Sequence, residues 1–152
     1  MAGTRQFCTF FLEHYCFGID VRQVQEVFRS HEQTRVPLAP PVVSGLINLR
    51  GQIVTVIDLR RRLELHPRAA AQQPMHVVVH HDESAVDLLV DEIGDVVDVA
   101  DDLFEPPPGT LEGIARELIV GAYKLAGQLL LILDTAKAVD LEHLKAHVHT
   151  ST

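Results

Sequence analysis

The sequence predicts an all-β fold with short helices: two five-stranded β-barrel lobes related by pseudo-symmetry, plus a C-terminal helix. Three observations lead there. Short runs rich in β-branched residues are punctuated by Gly and Pro, as in "SGLINLRGQIVTVIDL" (residues 44–59). The chain also repeats itself without a gap: Gly45, Leu49, Gly51, Gln52 and Asp58 match Gly121, Leu125, Gly127, Gln128 and Asp134, an offset of 121 − 45 = 76 residues. Finally, 47% of the 152 residues are hydrophobic but only six are Phe, two Tyr and none Trp, so Val, Leu and Ile must fill a core shared by two small lobes.

The elements follow in order. "QFCTFFLE" opens the first copy as a strand, "HYCFG" turns, and a short strand follows. Val21, Val24 and Val27 then recur every third residue, which predicts a short helical segment with one apolar face. Val21 is expected in the core and Val24 partly exposed at a groove between the lobes. Next comes the glycine hairpin, residues 43–59, with Gly51 at a tip that demands positive φ. Asp58 is placed to cap the short helix "LRRRLEL".

The second copy repeats the scheme with "MHVVVHH", "DESAV" and the three-residue spacing of Val90, Ile93 and Val96. There the offset is 93 − 24 = 69, and the difference falls in the acidic, Pro-rich connection "DVADDLFEPPPG". Residues 119–135 form the matching hairpin, and the two hairpins are expected in different barrels. Asp134 caps a longer terminal helix, "TAKAVDLEHLKA", apolar at Ala138, Leu141 and Leu144. One repeat unit spans about 5–67 and the other about 74–144, and their terminal strands are free to pair within a lobe or to exchange between lobes.

Charge excludes some partners. Thirteen Lys+Arg against 21 Asp+Glu give a net −8, unsuited to nucleic acid or an anionic membrane. The cluster Arg60-Arg61-Arg62 reads as a solvated helical turn. No apolar run is long enough to span a bilayer, and Glu13 and His14 interrupt the N-terminal stretch, so a cytoplasmic location is expected. Cys8 and Cys16 read as buried thiols in apolar strands, with no disulfide between them.

Catalytic constellations are scarce. Asp58 and Asp134, repeat-related and each following an apolar strand, are the one pair that an aspartic-protease-type hydrolase of two β lobes could use. The first copy reads Asp58-Leu59-Arg60, however, and an arginine beside the dyad opposes the shared proton that the mechanism needs. Helix capping accounts for both acids. His80 and His81 are adjacent on a strand and point to opposite faces; His143 and His147 lack a third ligand, so no metal site is predicted, and residues 146–152 read as a flexible polar tail. No phosphate loop, dinucleotide fingerprint or nucleophile elbow occurs.

The repeat serves as an internal control for Arg50. Its counterpart is Ala126, so the fold does not require arginine at the tip, and a lobe-specific contact is the functional reading. Asn48, opposite Lys124 in the other copy, carries the same argument more weakly. "FGIDVRQVQEVF", "VSGLINLRGQIVTVIDLRRRL" and "AVDLLVDEIGDVVDV" resemble the CheW family, the coupling proteins of bacterial and archaeal chemotaxis. The family string is matched by Gly45, Asn48, Leu49, Arg50, Gly51, Ile53, Val54, Val56, Ile57, Asp58, Leu59 and Arg60; Thr55 stands where members usually carry proline.

The resemblance implies one CheW-like domain over residues 1–145 built from two intertwined SH3-like barrels, with no catalysis and no cofactor. It implies two partners: the regulatory domain of a CheA-type histidine kinase, and the cytoplasmic helices of methyl-accepting chemoreceptors. Val24, Glu26, Gly45 and Arg50 fall where the family touches them, and Val27 and Asn48 complete the candidate partner-binding set.

Overall fold

A computed structural model describes residues 3–140. Ten strands alternate apolar and polar positions as the sequence does: β1 (Thr4–Leu12), β2 (Tyr15–Asp20), β3 (Val24–Phe28), β4 (Val43–Leu49), β5 (Gln52–Asp58), β6 (Met75–His81), β7 (Ser84–Val90), β8 (Glu92–Ala100), β9 (Ile119–Leu125) and β10 (Gln128–Leu133). They form two five-stranded sheets, ordered β8-β1-β2-β10-β9 and β3-β6-β7-β5-β4. The expected hairpins, β4–β5 and β9–β10, lie in different sheets.

The two orders become identical when each strand is exchanged for its repeat counterpart. Each sheet is nevertheless mixed. β3 leaves its own copy to pair with β6, and β8 pairs with β1. The parallel pairs β5–β7 and β10–β2 likewise join one copy to the other. β5 is therefore an inner strand, with Thr55 between Leu46 and Val86. A threonine amide can serve the ladder there, whereas a proline has none to give.

The three-residue spacing of valines has a different cause from the one expected. Only Val21–Gln23 is helical, a single 3-10 turn capped by the Asp20 carboxylate, which accepts from the Arg22 amide at 2.9 Å. Val24 and Val27 are on β3. A bulge lets Val24 face Val79, Glu26 face Val78 and Val27 face Val77, so residues three apart share one side of the sheet. The second copy repeats this without any helix, with Ile93 facing Phe10 and Val96 facing Cys8. At the bulge, Thr9 Oγ1 donates to the Asp95 carbonyl.

Alternation along the strands divides the interior into three. Ile47, Leu49, Val54, Val56, Val78, Ala85 and Leu89 fill the β3–β7 sheet. Phe7, Cys16, Val99, Tyr123, Leu130 and Ile132 fill the other. The opposite faces meet in a central core that includes Phe10, Leu12, Ile57, Leu88, Leu118 and Leu133.

Three short helices close the ends: α1 (Leu59–Arg62), α2 (Gly113–Leu118) and α3 (Thr135–Ala138). As expected, Asp58 caps α1 by accepting from the Arg60 amide at 3.1 Å, and Asp134 caps α3 through the Lys137 amide at 3.1 Å. α2 was not foreseen; it forms because Ile114, Ala115 and Leu118 put one apolar side on the central core. α3 stops at Ala138, with Val139 as its C-cap, so the longer helix expected from residue 135 is interrupted there. Leu141, Leu144, His143, His147 and the tail 146–152 lie outside the described residues.

The solvated reading of the arginine cluster holds for Arg61 alone. Arg60 and Arg62 are buried. Arg62 donates to the Ala138 and Lys137 carbonyls at 2.9 and 2.8 Å, satisfying the C-terminal end of α3 where a cation is favoured. No helix among the described residues is long and apolar enough to cross a membrane.

Candidate functional site

The β4–β5 turn is built around Arg50. Both of its central residues are left-handed, with φ 53° at Arg50 and 87° at Gly51, the type I′ pattern whose twist suits a two-residue hairpin. The Asn48 carboxamide accepts the Gly51 amide at 2.8 Å and so holds the turn. In the matching turn Gly127 is left-handed, at 79°, and Ala126 is not. Lys124, in place of Asn48, has no acceptor to offer and reaches Glu105 at 3.7 Å instead. The two turns thus differ in conformation, which gives the Asn48–Lys124 difference a structural cause.

From this tip the Arg50 guanidinium reaches β3, at the other end of the sheet order. Its two terminal nitrogens donate to the two Glu26 oxygens at 2.7 and 3.1 Å. The β3 bulge makes the geometry possible, because it turns Glu26 onto the face of Val78 and Phe28. The pair joins the sheet's two outer elements. The pair has no equivalent in the other lobe, where Asp95 keeps a carboxylate but Ala126 stands in place of the arginine.

Exposed apolar side chains flank the clasp in the strands: Val27 beside Glu26, and Ile53 opposite Asn48. Val24 is half-buried against the central core, as is Val21 by exposure, so the two valines do not divide into one core and one groove residue. Gly45 is buried. A Cβ on it would lie 2.7 Å from the Thr34 carbonyl, because residue 34 bridges to Leu46 across it. Gly121 is identical in kind: its Cβ would lie 2.6 Å from the Glu105 carbonyl, under a Glu105–Ala122 bridge. The repeated glycine therefore admits a crossing segment of chain in each lobe. Of the six candidates, the structure brings Glu26, Asn48 and Arg50 to one end, puts Val24 and Val27 on the opposite side of β3 from Glu26, and places Gly45 beneath the surface.

The aspartates of the hydrolase reading do not form a dyad. Asp58 borders a cavity with Arg35 and Arg61, while Asp134 borders another with Arg5 and Asp20. Each is held by its own helix. Asparagine also caps helices, so Asp58→Asn with Asp134→Asn is expected to lower stability by no more than about 1 kcal/mol per site; thermal melts check this. Among the described residues no group of three His, Cys, Asp or Glu is placed to hold a metal. Cys8 and Cys16 are free, and burial pushes both thiols up, helped at Cys8 by the Asp20 charge.

Two buried polar groups escaped the sequence reading. His76 Nδ1 contacts the Asp87 carboxylate inside the β3–β7 lobe, under the Phe28 ring at 4.7 Å. Asp91 receives Arg60, Arg68 at 3.0 Å and the Glu13 amide at 2.8 Å. The signal was present for the first: a charged residue within the apolar run "AVDLLV".

Residues 6–143 match the model of the CheW-like domain. The chain is 32% identical to the chemotaxis protein CheW of Bacillus subtilis, over 87% of this chain and 85% of that one. It is 28% identical to the CheW of Treponema pallidum, over 92% and 85%. Among solved structures it resembles the scaffolding protein TtCheW of Thermoanaerobacter tengcongensis, with a TM-score of 0.82 and 26% identity over 91% of this chain and 94% of that one.

Proposed function

Because the chain belongs to the CheW-like domain family, we propose that it is a non-catalytic adaptor coupling the cytoplasmic tips of methyl-accepting chemoreceptors to the regulatory domain of a CheA-type histidine kinase. Relatives named as chemotaxis proteins and a similar fold named as a scaffold support this reading. The observation that carries it to particular residues is the Glu26–Arg50 clasp, a bidentate pair present in one lobe only and flanked by exposed Val27 and Ile53. Arg50, Glu26, Val27 and Val24 supply the contact surface. Asn48 acts through the turn that aims Arg50, and Gly45 through the chain crossing it. The adaptor works at the cytoplasmic side of the receptors and needs no cofactor.

A surface ion pair contributes little to folding, roughly 0–1 kcal/mol, and the Arg50 side chain is 73% exposed. Arg50→Ala is therefore expected to leave the melting temperature nearly unchanged. The same change should weaken coupling by tenfold or more, since a charge-assisted bond in an assembly is worth roughly 1.5–3 kcal/mol. Lysine should restore only part, because a point charge cannot reproduce the planar fork. The measurement is recruitment of purified kinase to receptor-bearing vesicles with wild type, Arg50→Ala and Arg50→Lys, and Lys124→Ala as the control from the other lobe. If wild type recruits no kinase, the adaptor reading fails. If Arg50→Ala recruits it as wild type does, Arg50 is an ordinary surface residue.

A further inference from the structure

The interior of the clasp-bearing lobe is not apolar throughout. Asp87 on β7 and His76 on β6 are both buried there, and His76 Nδ1 meets one Asp87 carboxylate oxygen. The other oxygen, Oδ1, is buried and has no hydrogen-bond partner among the described residues. The Phe28 ring stacks on the imidazole, with centroids 4.7 Å apart and planes 19° from parallel, and Phe28 faces His76 across the β3–β6 ladder. A stack thus runs from the middle of the lobe out to β3. It arrives two residues from Glu26, on the same side of the strand.

The repeat again serves as a control. At the offset 76 − 7 = 69, His76, Asp87 and Phe28 correspond to Phe7, Gly18 and Val97, none of which carries a polar side chain. The fold therefore does not require the polar pair. Stability does not favour it either. A buried carboxylate oxygen without a donor is unfavourable, and exchanging both members of such a pair for apolar groups of the same shape is often neutral or stabilising. The lobes also differ at the bulge. In the other lobe the Thr9 hydroxyl ties the bulge by donating to the Asp95 carbonyl. The counterparts of Thr9 and Asp95 are Val78 and Glu26, and a valine side chain has no donor to give. β3 ends its sheet and pairs with β6 alone. Where the hydroxyl tie is missing, the stack is present.

We propose that Asp87, His76 and Phe28 are positioning residues: from inside the lobe they seat β3 and so aim Glu26 at Arg50. Asp87 fixes the plane of the His76 ring through their hydrogen bond. The ring fixes Phe28 by stacking, and Phe28 carries the strand. Two stacked rings have a defined separation and tilt, which an aliphatic contact does not impose. The proposal rests on the adaptor reading and adds to it the source of the clasp's geometry. Partner binding thereby depends on two buried side chains, Asp87 and His76, that no partner touches.

The test compares wild type with two variants. His76→Phe with Asp87→Leu keeps the shapes and removes the polarity; Phe28→Leu breaks the stack and leaves the pair. Each is made with and without Arg50→Ala. Recruitment of purified kinase to receptor-bearing vesicles is expected to fall roughly fivefold or more in both, with no further loss when Arg50→Ala is already present. The double variant should melt no lower than wild type. Its β3 amides should nevertheless exchange roughly fivefold faster in the free protein, while those of β7 keep their wild-type rates. Asp87→Asn, whose carboxamide oxygen still accepts from His76, should recover most of the lost recruitment. A loss that is the same with and without Arg50 overturns the proposal, as does Phe28→Leu that recruits like wild type. A double variant that melts lower than wild type, or Asp87→Asn that recruits as poorly as the double variant, also overturns it. Wild type that recruits no kinase overturns the adaptor reading instead, and exchange along β3 then decides the positioning by itself.

Discussion

Asp91→Ala is expected to be the most damaging single substitution in the described part of the molecule. The Asp91 side chain is 8% exposed and lies between β7 and β8. It accepts from Arg60 Nε at 2.8 Å, from Arg60 Nη2, from Arg68 Nε at 3.0 Å and from the Glu13 amide at 2.8 Å. Alanine leaves two buried guanidiniums with poorer company, Glu13 at 3.8 Å from Arg60 and Asp58 at 3.4 Å from Arg68. Breaking a buried pair from one side costs about 3–5 kcal/mol, against a total stability of roughly 5–15 kcal/mol for such a domain. Denaturant melts at neutral pH should show it.

The same site gives a signed pH dependence. Burial pushes the Asp91 carboxyl up, but the Arg60 hydrogen bonds, the Glu13 amide, Arg68 and the Arg60 charge outweigh it and hold the group at about 2. Its folded pKa is thus below the ordinary 3.8. Such a group contributes stability that is present above the unfolded value and is lost as pH falls through the folded one. The contribution is on the order of 2 kcal/mol. Asp91→Asn should therefore be least stable relative to wild type at neutral pH, with the gap narrowing from about pH 4 toward 2. A gap independent of pH would sink the assignment.

Gly121→Ala is expected to come next, with Gly45→Ala close behind. A Cβ at Gly121 would lie 2.0 Å from the Phe104 ring and 2.6 Å from the Glu105 carbonyl; at Gly45 it would lie 2.7 Å from the Thr34 carbonyl. Backbone must move in both cases, at a cost of roughly 1–3 kcal/mol for overpacking. Both changes should speed amide exchange at the bridges they displace, Glu105–Ala122 and Thr34–Leu46. Any loss of partner binding in Gly45→Ala should track its loss of stability. Gly45→Ala that melts like wild type yet fails to bind would instead make Gly45 a contact residue.

By itself the sequence determined most of the strands though not β3, the two hairpins, the aspartate caps and the glycine at each tip. Each of these depends on residues within a turn or two of one another, whose periodicity and backbone preferences are read directly. Tertiary structure decided the rest. β1 and β6 are copies of one pattern, so nothing local tells β3 to pair with β6 and β8 with β1. The valine spacing at Val24 and Val27 suits a helix face as well as a bulged strand, and only the partner strand selects the bulge. Arg60 reads as solvated until Asp91, 31 residues later, is brought against it. Glu26 and Arg50 are 24 residues apart and become a pair only when the sheet's two ends meet. Charge pairing and strand exchange are settled by which equivalent surfaces come into contact, and that choice belongs to the packed chain as a whole.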